Sequence, residues 1–171
     1  MIRVGEIGIL RAPEPSDLEW VFEIENDPGL WHLSASKEPL NKGVVMQYLA
    51  AQPGSLLRDG QLRFILDDRG RLKGAFDLFD YDHVAKKAGL GVYVDASCRR
   101  EGVALQTLQA LEEYAFSILG IRNLYAHVPQ DNEASRALFV SAGYREVGVL
   151  TDWVWHDGQY VDACLFQKIK V

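Results

Sequence analysis

One stretch of the chain holds residue types and a spacing suited to binding an anion. The strand pattern of Ala88–Asp95 runs into a short turn of mostly small and basic residues, and from Gly102 the pattern is helical. A helix N-terminus presents unpaired N–H groups and the positive end of the helix dipole. A strand–turn–helix of this kind therefore receives a phosphate or pyrophosphate readily. Gly102 lets the backbone approach the anion closely, and Ala104 keeps the first helical turn unobstructed. Arg99 and Arg100 add positive charge at the same place. An ordinary capped helix is the plain alternative. Two other phosphate motifs are excluded, because no Gly-x-x-x-x-Gly-Lys-Ser/Thr run exists and three spaced glycines near a first strand are missing.

The remaining reactive residue types form no site by spacing. His32, His83, His127 and His156 are scattered, so no metal site is expected. Cys98 and Cys164 lie far apart and read as reduced thiols of a cytoplasmic protein. Ser34 and Ser36 have no accompanying His and Asp pattern, which rejects a hydrolase triad. A length of 171 residues, 48% of them hydrophobic and 25% charged, suits one globular domain with a sizeable core. The 18 Lys and Arg against 24 Asp and Glu give a formal charge of −6. That argues against a nucleic-acid partner, since duplex binders carry basic stripes. It fits a cationic partner, or simply solubility. No apolar run approaches the ~18 residues of a membrane span. Met1–Glu6 contains no apolar leader, so a cytoplasmic protein without membrane contact is expected.

The elements that must position these residues alternate along the chain. Glu6–Ala12 reads as a first strand. Ser16 and Glu19 form a capping box at a helix start, Trp20, Val21, Phe22 and Ile24 supply its apolar stripe, and Asp27-Pro28-Gly29 ends it. Lys42–Gln52 reads as a second helix ended by Pro53-Gly54. Leu62–Asp67 and Leu72–Tyr81 are strands around the hairpin turn Asp68-Arg69-Gly70. After Ala88–Asp95, a long helix places Leu105, Leu108, Leu111, Ala115 and Ile118 on one side and stops at Gly120. Leu124–Val128 is strand, Asn132–Ala142 is helix with Gly143 beyond it, and Val147–Trp155 and Tyr160–Lys168 form a closing hairpin. This order predicts a mixed α/β sheet packed with helices.

Arg99-x-x-Gly102-x-Ala104 resembles the Arg/Gln-x-x-Gly-x-Gly/Ala motif of the GNAT N-acyltransferases, which in that family binds the pyrophosphate of acetyl-coenzyme A. Three further stretches agree. Val128-x-x-x-Asn132-x-x-Ser135-x-x-Leu138-Phe139-x-x-x-Gly143-Tyr144 is similar to the family's second cofactor segment. Leu10-Arg11-Ala12, Pro15-x-Asp17-Leu18 and Glu25-Asn26-Asp27 resemble the start of the RimJ/RimL and spermidine-acetyltransferase branch. Asp157-Gly158-Gln159-Tyr160 with Phe166-Gln167 resembles that branch's last hairpin. The likeness spans nearly the whole chain and implies a single GNAT domain over residues 1–171. The implied fold is α/β (α+β): a mixed, mostly antiparallel twisted sheet of about seven strands, splayed at the cofactor strand, with about four helices.

The resemblance implies roles residue by residue. The pantetheine arm pairs with main chain at Val92, Tyr93 and Val94. The pyrophosphate lies on the turn Arg99, Arg100, Glu101, Gly102, Val103 and Ala104. Asn132, with Ser135 and Phe139 in the same segment, approaches the coenzyme, although Asn132 is also a good helix cap. The chemistry implied is direct acetyl transfer to a primary amine, which must lose a proton to attack the thioester. The family's usual Tyr acid matches Phe139 and its frequent Glu matches Gly89, so neither role carries over. Tyr93 is a candidate acid, and Tyr144 reads as a core aromatic. Asp77 is the better candidate base, or else a solvent-facing strand residue. Strand parity separates Asp77 and Phe79 from Phe76, Leu78 and Asp80 unless a bulge intervenes. Asp80, Glu23, Glu25, Asp27 and Trp31 are candidates for the amine pocket, or an exposed helix face and a packed Trp. Trp153 and Trp155 read as core or subunit interface.

The leading expectation is a cytoplasmic N-acetyltransferase acting on a small amine, with a polyamine such as spermidine as first candidate. The alternatives are an acetyltransferase for protein N-terminal amines and a non-catalytic acyl-coenzyme A sensor. Members of this branch are often homodimers or larger homo-oligomers.

Overall fold

The computed structural model describes residues 1–33, 37–52 and 54–170. Eight strands form one sheet: β1 (Ile2–Val4), β2 (Gly8–Arg11), β3 (Leu62–Asp68), β4 (Arg71–Asp82), β5 (Lys87–Val94), β6 (Asn123–Pro129), β7 (Arg145–His156) and β8 (Gln159–Ile169). The spatial order is β1-β2-β3-β4-β5-β6-β8-β7. Every neighbouring pair is antiparallel except β5 and β6. Five helices accompany the sheet: α1 (Leu18–Glu25), α2 (Lys42–Ala50), α3 (Leu56–Asp59), α4 (Val103–Ser117) and α5 (Glu133–Ser141). The expected mixed sheet is present, with one strand and one helix more than the sequence suggests. Strand β1 has only three residues and α3 only one turn, too short for either to show a period.

The two faces of the sheet do different jobs. One face carries Leu66, Phe76, Leu78, Leu90, Leu124, Ala126 and Phe166 into the main core beneath α4 and α5. Leu108, Leu111 and Ala115 of α4 are fully buried there. Ile118 is 72% exposed instead of sharing that stripe, because α4 ends at Ser117; Ile121 fills the core in its place. The other face is covered by α1 and α2, which hold the smaller cluster of Val21, Val45 and Leu49.

The turns follow their residue types. Arg69 (φ 55°) with Gly70 (φ 91°) and Asp157 (φ 50°) with Gly158 (φ 80°) form two-residue hairpins with positive φ at both positions. The start of α1 differs from expectation. Asp17, rather than Ser16, closes the preceding turn by accepting from the Glu14 N–H at 2.8 Å. Arg11 then clamps both oxygens of Asp17, at 2.8 and 2.9 Å, and also reaches Asp67 at 2.8 Å. Burial opposes the charge on Asp17, but Arg11 and the Glu14 N–H outweigh it and hold its pKa below the ordinary value. Trp153 and Trp155 do not enter the core: they are 55% and 48% exposed on β7, an edge strand with a bulge between Leu150 and Val154.

Candidate active site

Strands β5 and β6 pair only at Lys87–Asn123, Ala88–Leu124 and Gly89–Tyr125. Beyond Gly89, β5 remains paired to β4 on its other side, with Leu90 opposite Leu78, Val92 opposite Phe76 and Val94 opposite Gly74. Its second edge is open from Leu90 to Val94. The result is a slot whose main-chain N–H and C=O groups lack a strand partner, which suits an amide-bearing chain laid along it.

The slot leads to the N-terminus of α4. Asp95 begins the turn, its carboxylate accepting from the Ser97 N–H at 2.9 Å and the Ser97 hydroxyl at 2.6 Å. Arg99 donates from Nε to the Val94 carbonyl at 3.0 Å, which fixes the turn against the end of β5. Arg100 (φ 66°) and Gly102 (φ 72°) both adopt the left-handed conformation. That conformation is uncommon for Arg, and such outliers concentrate at functional sites. Gly102 stands at the N-cap of the 15-residue α4 with no side chain capping the first turn. Those orphan N–H groups and the helix dipole remain available to an anion.

In the segment expected to approach the coenzyme, Asn132 caps α5, its Oδ1 accepting from the Ser135 N–H at 3.1 Å. Phe139 is 3% exposed, with its ring 5.8 Å from Phe166 and edge-on to Tyr144 at 5.1 Å. Little of it is left to touch a ligand. Tyr144 is likewise buried, and burial followed by the nearby Glu112 raises its phenol far above the ordinary range.

On the α1–α2 face, beside the slot, lies a cavity of about 560 Å³. Trp20, Trp31, Tyr48, Phe79 and Tyr93 give it aromatic walls, and Val92 and Gly91 border it from β5. Its polar centre is a group of three charges. Arg63 on β3 faces Asp77 on β4 as a cross-strand pair and makes two hydrogen bonds to it, at 2.8 and 2.9 Å. Arg63 also pairs with Glu25 of α1 and lies over the Tyr48 ring, 5.8 Å from its centroid. Trp31 is held by its Nε1 donating to the Glu25 carbonyl at 3.0 Å. Two carboxylates against one guanidinium leave a formal charge of −1. Burial, then Asp95, raises the Tyr93 phenol above its ordinary pKa, so Tyr93 stays protonated near neutral pH.

Glu25, Trp31, Asp77 and Tyr93 thus meet in one cavity, while Asp27, Glu23 and Asp80 lie outside its lining. Asp27 is exposed and accepts from the Gly29 N–H at 2.9 Å within its own turn. Asp80 is exposed in a bulge of β4, at φ 49°. At Gly89 a side chain has no room, because a Cβ there would lie 2.5 Å from the Phe79 ring. Ser34 and Ser36, weighed above for a triad, fall outside the described residues, as does Pro53. Sequence reasoning missed Arg63, Tyr48 and Trp20. The signal for Arg63 was its parity with Ile65, which is fully buried on the same face of β3.

A sheet opened at one parallel pair, with a helix N-terminus at the end of the slot and an aromatic, charged cavity beside it, is the arrangement of an acyl-group transferase. A family model described as an acetyltransferase (GNAT) domain matches residues 9–145, and the chain belongs to that family. It is 24% identical over 161 residues to a spermidine N(1)-acetyltransferase of Escherichia coli (strain K12), covering 92% of this chain and 85% of that one. It is 30% identical over 158 residues to a putative phosphinothricin acetyltransferase of Bacillus subtilis (strain 168), covering 90% and 93%. The fold matches a crystal structure of spermidine N-acetyltransferase from Vibrio cholerae in complex with CoA and spermine. That match has a TM-score of 0.83 and 21% identity, and covers 96% of each chain.

Proposed function

We propose that this GNAT enzyme transfers acetyl from acetyl-coenzyme A to a primary amine of a small molecule, with a polyamine of the spermidine type as the first acceptor. The observation that carries the reading is the end of β5–β6 pairing after Gly89 and Tyr125, which opens a slot between the α4 N-terminus and the acceptor cavity. The relatives named for spermidine support the choice of acceptor.

The residues present fit the coenzyme. Main chain at Val92, Tyr93 and Val94 would hold the pantetheine arm. The turn Arg99, Arg100, Glu101, Gly102, Val103 and Ala104 would hold the pyrophosphate, with Asn132 and Ser135 on the far side. Acetyl-coenzyme A supplies the acetyl group as a thioester, and a main-chain N–H of the open β5 edge is suited to the oxyanion of the tetrahedral intermediate. The ammonium of the acceptor enters among Trp20, Trp31 and Tyr48, where aromatic faces and one net negative charge attract a cation. Glu25 and Asp77 orient it. Asp77 gives both of its carboxylate oxygens to the Arg63 guanidinium. Tyr93 keeps its proton and would donate it to the departing thiolate from the cavity wall.

The test is release of coenzyme A thiol in the presence of polyamines, aminoglycosides, amino acids and short peptides. Turnover with spermidine is the expected outcome. Turnover with peptides alone would move the acceptor to protein N-termini. Tight coenzyme binding without turnover for any amine would overturn the enzymatic reading of this site.

A further inference from the structure

Beyond the slot and the cavity, one titratable side chain stands where the strands part. Strand β6 turns Ala126 and Val128 into the main core, so Tyr125 and His127 project from the opposite face, that of the acceptor cavity. The parallel register ends at Gly89–Tyr125. Continued by two residues, it sets Gly91 level with His127 across the open slot. Gly91 lines the acceptor cavity and has no side chain, so the β5 side of this level offers only backbone. An aromatic series joins the cavity to the ring. Phe79 of the cavity wall meets Tyr125 edge-on at 6.4 Å, Tyr125 lies 5.4 Å from His127, and His127 lies 5.7 Å from Trp153 of β7.

A linear coenzyme with its pyrophosphate at the α4 N-terminus and its arm along Val94, Val92 and beyond directs its thiol end toward the vertex of the slot. The vertex is Gly89–Tyr125, and the first residues beyond it on the acceptor face are Gly91 and His127. The carboxylates of the cavity are committed to Arg63, and the imidazole of His127 has no hydrogen-bond partner among the described residues.

We propose that His127 takes the proton from the acceptor amine. The proposal rests on the reading of the chain as an amine acetyltransferase. The ammonium gives one proton to the neutral imidazole. The freed lone pair attacks the thioester carbon, the C–N bond forms, and the tetrahedral intermediate collapses with cleavage of the C–S bond. The thiolate leaves with the Tyr93 proton, the second proton shed by nitrogen restores the Tyr93 phenol, and the imidazolium returns its own proton to water. The titratable groups that face His127 are Asp80 from β4 and Tyr125 from its own strand; β5, β7 and β8 present Gly91, Trp153 and Leu165, which do not titrate. His127 is exposed and stands outside the cavity lining; the desolvation it meets beside its neighbouring rings lowers its pKa from its ordinary value, and Asp80 opposes that only in part. The imidazole is therefore neutral, and able to accept, at neutral pH.

The experiment compares the wild-type chain with His127→Gln, using coenzyme A, acetyl-coenzyme A and whichever amine of the panel turns over. With His127 as acceptor, wild-type kcat/KM levels off above the imidazole pKa. In His127→Gln only the free neutral amine reacts, so the rate at pH 7 falls by roughly 100-fold or more and climbs about tenfold per pH unit toward the amine pKa. Coenzyme A affinity by calorimetry stays within about twofold, in keeping with a residue that serves the proton rather than the pyrophosphate. Independently of turnover, the His127 ring signal in NMR titrates below the ordinary histidine value and moves when coenzyme A and the amine are added. A variant within about threefold of wild type with an unchanged pH profile, or a ring signal that ignores both ligands, overturns this proposal alone. A wild-type chain inactive with every amine overturns the acceptor reading together with it.

Discussion

Arg63 and Asp77 face each other across β3 and β4 and are joined by two hydrogen bonds, Nε to Oδ1 at 2.8 Å and Nη2 to Oδ2 at 2.9 Å. Glu25 shares the same guanidinium from α1, so one cation ties a helix to two strands. Arg63→Met leaves two carboxylates facing each other. The Arg63 side chain is 24% exposed, which screens the group, so the expected loss of stability is about 1–3 kcal/mol rather than the ~3–5 of a fully buried pair. Urea unfolding measures it. The same variant gives the cavity a second net negative charge, and the KM for spermidine should fall.

Asp77→Asn separates orientation from proton transfer. An orienting carboxylate contributes a charge-assisted hydrogen bond of about 1.5–3 kcal/mol, so the KM for amine should rise roughly 10- to 100-fold while the pH dependence of kcat keeps its shape. A lost acidic limb in this variant would return Asp77 to the role of base.

Gly102 combines a left-handed backbone with the N-cap position of α4. Gly102→Ala should cost about 1 kcal/mol of stability from its positive φ. Gly102→Glu should weaken coenzyme A binding by about 100-fold or more, because it adds bulk and negative charge where the pyrophosphate is proposed to sit. Calorimetric titration distinguishes the two effects, and equal affinity in both variants would remove the turn from the site.

Gly89 holds no side chain because the Phe79 ring fills the space. Gly89→Ala should destabilise the fold by about 1–3 kcal/mol through overpacking, and Phe79→Ala in the same chain should recover part of it. A double-mutant cycle in urea gives the coupling. Without coupling, the ring is not what excludes a carboxylate from this strand.

The Arg11–Asp17–Asp67 cluster predicts the acid limb of stability. The folded-state pKa of Asp17 lies below its unfolded value, so its contribution is fully present above the unfolded pKa, near 4. It is lost as pH falls through the folded value. Unfolding free energy measured from pH 6 to pH 2 should therefore drop more steeply in the wild type than in Asp17→Asn.

Much of the fold was legible because turn chemistry and periodicity are local. Asp68-Arg69-Gly70, Asp157-Gly158 and Gly143 stand where their conformations demand, and the strand–turn–helix junction from Arg99 to Ala104 was visible as such. The acceptor cavity was less so. Glu25, Trp31, Asp77 and Tyr93 could be named, but not the guanidinium that joins two of them, because Arg63 meets Asp77 only through pairing of separate strands. Alternation reads a charged residue in a strand as solvent-facing; here it points under two helices. His127 gave no signal for a related reason. Its importance depends on where the β5–β6 pairing stops, and no residue on β6 announces that. Ile118 misled because periodicity continues past a helix end that chain geometry sets at Ser117.

The eight-stranded sheet is divided by its own pairing. Five strands on one side and three on the other are joined along β5–β6 by only three residue pairs. Mechanically these are two half-sheets held by a short seam and by the core beneath α4 and α5. A coenzyme arm laid in the slot acts as a strand supplied from solution, closing hydrogen bonds that the chain leaves open. The completed sheet is then a property of the complex. Amides of Leu90–Val94 and of Ala126–Val128 should exchange with solvent faster without coenzyme than any other paired stretch of the central strands, and saturating coenzyme at about 100 times its Kd should add about 2.7 kcal/mol of stability. Cellular coenzyme level would set how tightly this fold is knit.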